Sequence, residues 1–222
     1  MTHGYTHLTS RTGDVVTKQY RGPDAATGCA REVAALHAVA GVLPVPRVIA
    51  TGPAWLQTTL ADGVHGQDLI AAGLAGSVLA ACGRMLRKIH QLPVPAALSA
   101  PALAPGAVLV HGDYGPNNVL LDPDAHDVTA VLDWEWAHAG DPIDDLAWCE
   151  FIIRLHHPAD IWALAGFYES YGSRPVWPEL HAAIIDRCHS MLDFCRRWQR
   201  QVRRRERHRI KRANASRPAI PS

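Results

Sequence analysis

The sequence predicts an α+β protein with two lobes, a small β-rich N-lobe and a mainly helical C-lobe. Short alternating segments bounded by glycine and proline occupy residues 1–62, which form the predicted N-lobe. After Asp68 apolar residues recur at intervals of three and four, the spacing of an amphipathic helix, and residues 63–195 form the predicted C-lobe. A turn at Asp62-Gly63 is the predicted hinge.

Four strands and one helix are predicted in the N-lobe. The strands are Tyr5–Arg11, Val15–Tyr20, Arg47–Ala50 and Trp55–Leu60, and the helix is Ala25–Ala40. Gly41 ends the helix, and its predicted inner face carries Val33, Leu36 and Ala40.

The C-lobe alternates long helical segments with three short apolar strands. The predicted strands are Val108–Val110, Val119–Leu121 and Val128–Leu132, and the predicted helices include one marked by Leu79, Cys82, Leu86 and Ile89, then Ile143–His156, Ala159–Tyr171 and a long helix from Pro178. An apolar stripe on the long helix is predicted to pack on the body, through Cys188, Met191, Cys195, Trp198 and Val202.

Charge is distributed unevenly along the chain. The net charge is +1, but Arg196–Arg212 holds ten Lys or Arg and one acid, a net +9, and leaves −8 for the remainder. Residues 196–222 are therefore predicted to be a basic helix end and tail. Like-charge blocks are ordinarily solvated, and the body carries no recognised nucleic-acid module. We expect no nucleic-acid partner, although the basic segment 196–212 leaves that possibility open.

Composition excludes several other classes of protein. No apolar run is long enough to cross a bilayer, and the N-terminus lacks a signal pattern, so we expect a soluble, cytoplasmic protein with no membrane partner. The five cysteines form no C-x-x-C pair and are predicted to be reduced thiols. The thirteen histidines form no H-E-x-x-H motif, which argues against a metal hydrolase.

The most informative motif is the run from His111 to Asn118, which has the spacing H-x-D-x-x-x-x-N. Phosphoryl transfer needs a carboxylate at the acceptor hydroxyl, and Asp113 is the candidate. Asn118 precedes one predicted strand and Asp133 ends the next, so the hairpin brings them together as candidate Mg²⁺ ligands. His111 is expected to be a buried organiser of the loop. The alternative is that these side chains only cap turns.

Three motifs in this order resemble the aminoglycoside phosphotransferase and choline kinase-like family of small-molecule kinases. The motifs are His111-Gly112-Asp113 with Asn118, then Leu132-Asp133-Trp134-Glu135, then Gly140-Asp141-Pro142-Ile143-Asp144-Asp145-Leu146-Ala147. The resemblance implies a protein-kinase-like bilobal fold, Asp113 as catalytic base, and Mg²⁺ on Asn118 and Asp133. It also implies ATP-dependent transfer to a hydroxyl group, with GTP not excluded. Asp141 and Asp145 are interpreted as loop- and helix-capping carboxylates.

Two further positions match a kinase nucleotide site. Lys18, on an alternating strand, is predicted to hold the α- and β-phosphates, and Glu32 on the next helix is predicted to pair with it. We also assign Leu60, at the end of the last predicted N-lobe strand, to the nucleotide site together with Asn118 and Asp133.

The chain departs from a protein kinase in two places. Only 17 residues precede Lys18, so the nucleotide cover is expected to be a short segment around Gly4-Tyr5-Thr6, which leaves a nucleotide-binding pseudokinase as an alternative. Gly112 replaces the arginine that reads a phosphorylated activation loop, and five residues separate Glu135 from Asp141. We expect no activation loop and no need for activating phosphorylation.

The acceptor is predicted to be a small molecule with a hydroxyl group. The helices after Asp141 offer acidic and aromatic side chains, namely Asp144, Glu150, Glu169, Trp148, Phe167 and Tyr168, and Trp134 and Trp136 flank Asp133. Such a wall favours a cationic or sugar-like acceptor, and an aminoglycoside or other antibiotic, an amino alcohol and a sugar stay open. A kinase acting on a protein or RNA-associated partner through the basic helix is a further alternative.

Overall fold

The N-lobe is an antiparallel sheet with one helix packed beside it. A computed structural model describes residues 7–99 and 104–215, with side chains up to Arg203. The N-lobe elements are β1 (His7–Thr12), β2 (Val15–Tyr20), α1 (Ala25–Val39), β3 (Val48–Gly52) and β4 (Trp55–Thr59). The strands lie in the order β1-β2-β4-β3, with every neighbouring pair antiparallel. The predicted nucleotide cover around Gly4–Thr6 lies outside the described residues.

The C-lobe is mainly helical and carries two small antiparallel sheets. Its elements are β5 (Val64–His65), α2 (Gly66–Ala71), α3 (Ala75–His90), β6 (Val108–Val110), β7 (Val119–Leu121), β8 (Val128–Val131), β9 (His138–Gly140), α4 (Ile143–His156), α5 (Leu164–Tyr171) and α6 (Trp177–Ala215). One sheet has the order β5-β7-β8, and the other pairs β6 with β9. These sheets place the loops after β6 and β8 next to each other.

The core of the C-lobe forms around α3. The predicted apolar face is confirmed, because Leu79, Cys82, Leu86 and Ile89 are all fully buried. Helix α5 lies against this face so closely that a side chain at Gly83 would collide with the backbone oxygen of Phe167. The small residue thus fixes how near the two helices approach.

Several predicted segments differ from the structure. Strands β5 and β9 were not predicted, and Ala159–Tyr171 is a 3₁₀ segment, Pro158–Ala163, followed by α5. The predicted stripe on the last helix is partly wrong, because Cys195 and Val202 are exposed whereas Leu180, Ile184 and Phe194 are buried. A similar shift occurs on α1, where Val39 rather than Ala40 is buried.

Helix α6 contacts both lobes. It runs without a break through residues 195 and 196, and its Arg197 forms an ion pair of 2.6 Å with Asp24 at the start of α1. The ring of Trp198 packs on Gly22, where a Cβ would lie 2.9 Å from a ring carbon. The first residues of the basic segment are therefore part of the body. Across residues 7–99 and 104–215, no helix combines the length and apolar character that crossing a membrane needs.

Candidate active site

The loop after β6 is held by a buried carboxylate on α4. The backbone N–H groups of His111 and Gly112 donate to the two carboxylate oxygens of Asp145, at 2.7 and 2.8 Å. His90 also bonds to this carboxylate, at 3.1 Å. Burial raises the pKa of Asp145, but the bond from His90 and the bonds from the loop outweigh it and leave the pKa below the usual range. Asp145 therefore anchors the loop, whereas Asp141 caps the start of α4 through a 2.9 Å bond from the Ile143 N–H.

His111 is fully buried and links the two loops, as expected. Its Nδ1 accepts a bond from the Asp113 N–H at 3.3 Å, so Nε2 carries the proton and donates to Leu132 O at 2.8 Å. Burial lowers the pKa of His111. A neutral imidazole with both nitrogens in hydrogen bonds can organise the loops, but neither nitrogen is free to exchange a proton with a substrate.

Asp113 is oriented by two side chains. Its Oδ1 accepts a 2.7 Å bond from the Trp148 indole N–H, and its Oδ2 accepts a 2.8 Å bond from the Asn118 amide. Burial raises the pKa of Asp113 to about 6, helped by the charge of Asp133 and opposed by these two bonds and by Arg187. The group is thus a carboxylate at neutral pH and close enough to its pKa to accept a proton.

Asn118 and Asp133 have the donor chemistry of a Mg²⁺ site. The Asn118 Nδ2 donates to the carboxylate and the backbone oxygen of Asp113, so its Oδ1 is the atom left for a cation. Asp133 adopts a left-handed conformation, with φ +64°, at the end of β8. Aspartate is among the few residues that tolerate this conformation. A carboxylate and an amide oxygen fit a hard cation, and these two residues would hold it.

Lys18 is enclosed by carboxylates. Its Nζ donates to Glu32 at 2.7 Å and forms an ion pair with Asp133. Burial lowers the pKa of Lys18, but the charges of Asp133, Glu32 and Glu135 outweigh it and raise the pKa above the usual range. Tyr20, also buried, donates its hydroxyl to Glu32. The predicted Lys18–Glu32 pair is therefore present and connected to Asp133.

Residues that the sequence did not single out complete this cluster. The ring nitrogens of His7 lie 3.9 Å from an Asp133 oxygen and 3.8 Å from a Glu135 oxygen, and one ligand atom from each of the three residues falls within 4.8 Å of the others. Glu135 therefore offers a further carboxylate oxygen near Asp133, one of the two predicted metal residues. The sequence could have pointed to Glu135, because it follows Asp133 in a D-x-E pattern. It could not have pointed to His7, because β1 lies 126 residues before Asp133 and reaches it only in the folded chain.

Leu60 lies apart from the polar network. Its N–H donates to Asp14 O at 2.8 Å, which continues the pairing of β2 and β4 to the hinge. It lines a cavity of about 440 Å³ between the hinge and the β7–β8 turn, with Pro44, Asp62 and Thr129 among the other lining residues. In the described residues, hydrogen bonds and ion pairs form two groups, Lys18 with Glu32 and Asp133, and Asp113 with Asn118. Neither group includes the side chain of Leu60.

Half of the predicted acidic and aromatic acceptor wall is core: four of its eight side chains are buried, whereas Asp144 is partly exposed and Glu169 is exposed. Glu150 and Phe167 are fully buried, and Tyr168 is 4% exposed. Glu150 forms an ion pair of 2.6 Å with Arg154 and accepts a hydrogen bond from the Tyr168 hydroxyl. A buried carboxylate needs such partners to offset its loss of hydration. These side chains are therefore not available to a substrate. Among the predicted set, Trp148 reaches Asp113 directly.

Arg187 on α6 also reaches this loop. Its Nη2 donates to Gly112 O at 2.6 Å, and its guanidinium lies 5.1 Å from the centre of the Trp136 ring and 5.3 Å from that of Trp148. The sequence signal was an arginine at helical spacing between apolar residues, Ile184 and Phe194, but the stripe chosen from the sequence ran along a different face.

Parts of two longer proteins are similar to segments of this chain. Acyl-CoA dehydrogenase family member 10 of Mus musculus is 39% identical over 59 residues, and family member 11 of Homo sapiens is 32% identical over 91 residues. These matches cover 27% and 40% of this chain but only 5% and 11% of the two relatives. The chain therefore corresponds to a small part of each.

Solved phosphotransferases share the fold. An aminoglycoside phosphotransferase of Streptomyces rimosus superposes with a TM-score of 0.61 at 19% identity, over 78% of this chain and 84% of that one. A type VIII aminoglycoside-3'-phosphotransferase gives 0.62 at 20% identity, over 83% and 94%. The macrolide 2'-phosphotransferase of Brachybacterium faecium gives 0.57 at 22% identity, over 100% and 92%. The predicted protein-kinase-like fold, with a small β-rich lobe and a mainly helical lobe, is confirmed.

The family comparison covers both lobes. The model of the phosphotransferase enzyme family matches residues 3–107 and 96–183, a span that includes Lys18, Asp113, Asn118 and Asp133. This span covers most of the chain, and the structure pairs Asp113 with Asn118 and Lys18 with Asp133. The chain thus belongs to the phosphotransferase enzyme family, as its three motifs predicted.

Proposed function

We propose that this protein transfers the γ-phosphoryl group of ATP to a hydroxyl group of a small molecule, with Mg²⁺ as cofactor. The observation that carries the proposal is the arrangement of two linked groups, Lys18 with Glu32 and Asp133, and Asp113 with Asn118. In phosphoryl transfer the protein mainly positions the reactants and offsets charge, and these are the residue types that do so.

Asp113 is the base in this proposal. The acceptor oxygen forms a bond to the γ-phosphorus as the bond to the bridging oxygen of ADP breaks, and the hydroxyl proton passes to the Asp113 carboxylate. A pKa of about 6 keeps that carboxylate ionised at neutral pH. The bonds from Trp148 and Asn118 fix its orientation, which counts for more than its basicity in a loose transition state.

The nucleotide is proposed to be held by residues on the side of the site opposite the acceptor. Lys18 donates to Asp133 and would exchange this partner for the α- and β-phosphates, while Glu32 keeps the ammonium group in place. Asn118 and Asp133 would hold Mg²⁺, which would offset the negative charge of the phosphate groups. Leu60 is proposed to line the nucleoside side of the site, at the hinge.

The acceptor class is proposed more broadly than the acidic wall suggested. One structural neighbour was solved with ADP and streptomycin, and another is a macrolide phosphotransferase. Because Glu150 is buried and paired, a cationic acceptor has less support from this chain's own residues. We propose a hydroxyl compound that can stack on an aromatic side chain near Asp113, with antibiotics among the candidates and with the cytoplasm as its location.

An acceptor screen tests the proposal. Purified protein with ATP or GTP and Mg²⁺ is offered aminoglycosides, macrolides, amino alcohols and sugars, and nucleotide consumption and acceptor mass are measured. Wild-type protein is expected to phosphorylate at least one class, and Asp133→Ala is expected to fail through loss of metal-dependent nucleotide binding. Metal-dependent nucleotide binding without turnover on any acceptor would contradict the proposal and support a pseudokinase.

A further inference from the structure

An arginine interrupts the apolar face that α6 packs against the body. Leu180, Ile184 and Phe194 on this face are buried, and Arg187 lies between them at helical spacing. The Arg187 Nε is buried and has no hydrogen-bond partner within residues 7–99 and 104–215. Leaving a buried donor unpaired is unfavourable, so packing alone would favour an apolar side chain here.

The guanidinium of Arg187 joins three separate segments. It donates to Gly112 O in the loop that carries Asp113, and it stacks between Trp136, in the turn after Asp133, and Trp148, on α4. Trp148 in turn donates to Asp113. One side chain therefore contacts the carbonyl that precedes the proposed base and the ring that orients it.

Position 112 cannot supply this contact itself. Gly112 has φ +83°, and a Cβ there would lie 2.5 Å from Trp136 O. A side chain at this position would push the loop away from the turn after Asp133. The cation beside this loop therefore comes from another element, α6, as Arg187.

We propose that Arg187 is a positioning residue that locks the Asp113 loop and Trp148 in the geometry for transfer. The inference rests on the proposed function and adds to it a residue beyond the three motifs. The segment between Asp133 and α4 contains a 3₁₀ turn and β9, and α6 contacts the Asp113 loop directly.

Arg187→Met and Arg187→Lys test the proposal, with Arg154→Met as the matched control. Arg154 also lies on a tryptophan ring, 4.9 Å from Trp177, and bonds to a buried acid, but it does not contact the loop. We expect Arg187→Met to lower kcat about 100-fold with the nucleotide KM within about twofold, because small misplacements at a reacting centre have effects of this size. Arg154→Met is expected to keep kcat.

Arg187→Lys separates positioning from simple loss of packing. Lysine keeps a cationic donor that can reach for Gly112 O, although it lacks the planar guanidinium, so it should recover part of the kcat that Arg187→Met loses. An equal loss of kcat in both variants would assign Arg187 to packing and overturn the proposal.

Hydrogen exchange of the loop provides a readout that needs no acceptor. The amides of residues 111–113 should exchange about tenfold faster in Arg187→Met than in wild type or Arg154→Met, since the loop loses a bond at Gly112 O. A folded Arg187→Met protein with wild-type exchange at these amides would overturn the proposal, as would wild-type kcat. If no acceptor is found, the proposed function fails, and the exchange result still decides whether Arg187 holds the loop.

Discussion

The hydrogen bond from Trp148 to Asp113 predicts a measurable shift in pH dependence. Trp148→Phe removes the indole N–H that lies 2.7 Å from Asp113 Oδ1 and keeps an aromatic ring in its place. This bond stabilises the carboxylate form, so its loss must raise the pKa of Asp113. A bond to a charged group contributes about 1.5–3 kcal/mol, and water will replace part of it. We therefore take about 1.4 kcal/mol, or about one pKa unit, as the net loss.

The expected profile follows from that shift. The pKa of Asp113 is about 6 in the wild type, and a rise of about one unit takes it to about 7 in the variant. Because the base must be ionised, kcat/KM should fall about fivefold at a pH near 6 and about twofold near 7, with recovery in more alkaline buffer.

The assay is a pH series of kcat/KM with one acceptor from the screen. Trp162→Phe is the control, because Trp162 is 65% exposed and lies on the 3₁₀ segment before α5. An acid limb that stays at the wild-type position in Trp148→Phe would refute the argument. So would an equal loss of activity at every pH, because that result would assign Trp148 to packing alone.

Three further variants test separate parts of the account. Lys18→Met should abolish nucleotide-dependent thermal stabilisation and lower the free energy of unfolding by about 3 kcal/mol, because buried acids lose their cation; the exposed Lys88→Met should change neither. Gly83→Ala should lower the free energy of unfolding by more than about 2 kcal/mol in chemical denaturation, whereas Gly76→Ala, which meets only the exposed Trp162 ring, should be near neutral. Deleting 204–222 should leave transfer to a free small molecule intact, since it keeps the described N-lobe contacts of α6 at Arg197 and Trp198, and lost activity would favour a partner bound by the basic helix.

Local patterns predicted the elements that carry the loops. The strand end at Val110 and the helix that begins at Ile143 were visible from apolar runs and from the prolines and acids beside them, and the strand end predicted at Leu132 lies one residue earlier, at Val131. Since a short hairpin leaves few ways to arrange its ends, the pairing of Val119 with Val131, next to Asn118 and close to Asp133 in sequence, followed from spacing. Strand β9 was missed because its three residues pair with β6 from a turn that has no periodic pattern.

Residues whose roles depend on distant partners were harder to predict. The inner face of α1 that was predicted from apolar residues differs by one position from the observed face. A count of apolar residues omits Glu32, which lies on the observed face because it is buried and bonded to Lys18 in the sheet. For the same reason Glu150 was assigned to a substrate, although it is buried and paired with Arg154 and Tyr168. Buried charges are set by tertiary pairing, which a hydrophobic pattern does not record.

The central claim is that Asp113 accepts the proton of a hydroxyl group during phosphoryl transfer. Its most direct test is a single-turnover measurement of transfer from γ-labelled ATP to the acceptor, with Mg²⁺-nucleotide binding measured on the same preparations of wild type and Asp113→Asn. We predict that Asp113→Asn binds the nucleotide like the wild type and transfers the label about 10³-fold more slowly. Transfer by folded Asp113→Asn at close to the wild-type rate would contradict the account.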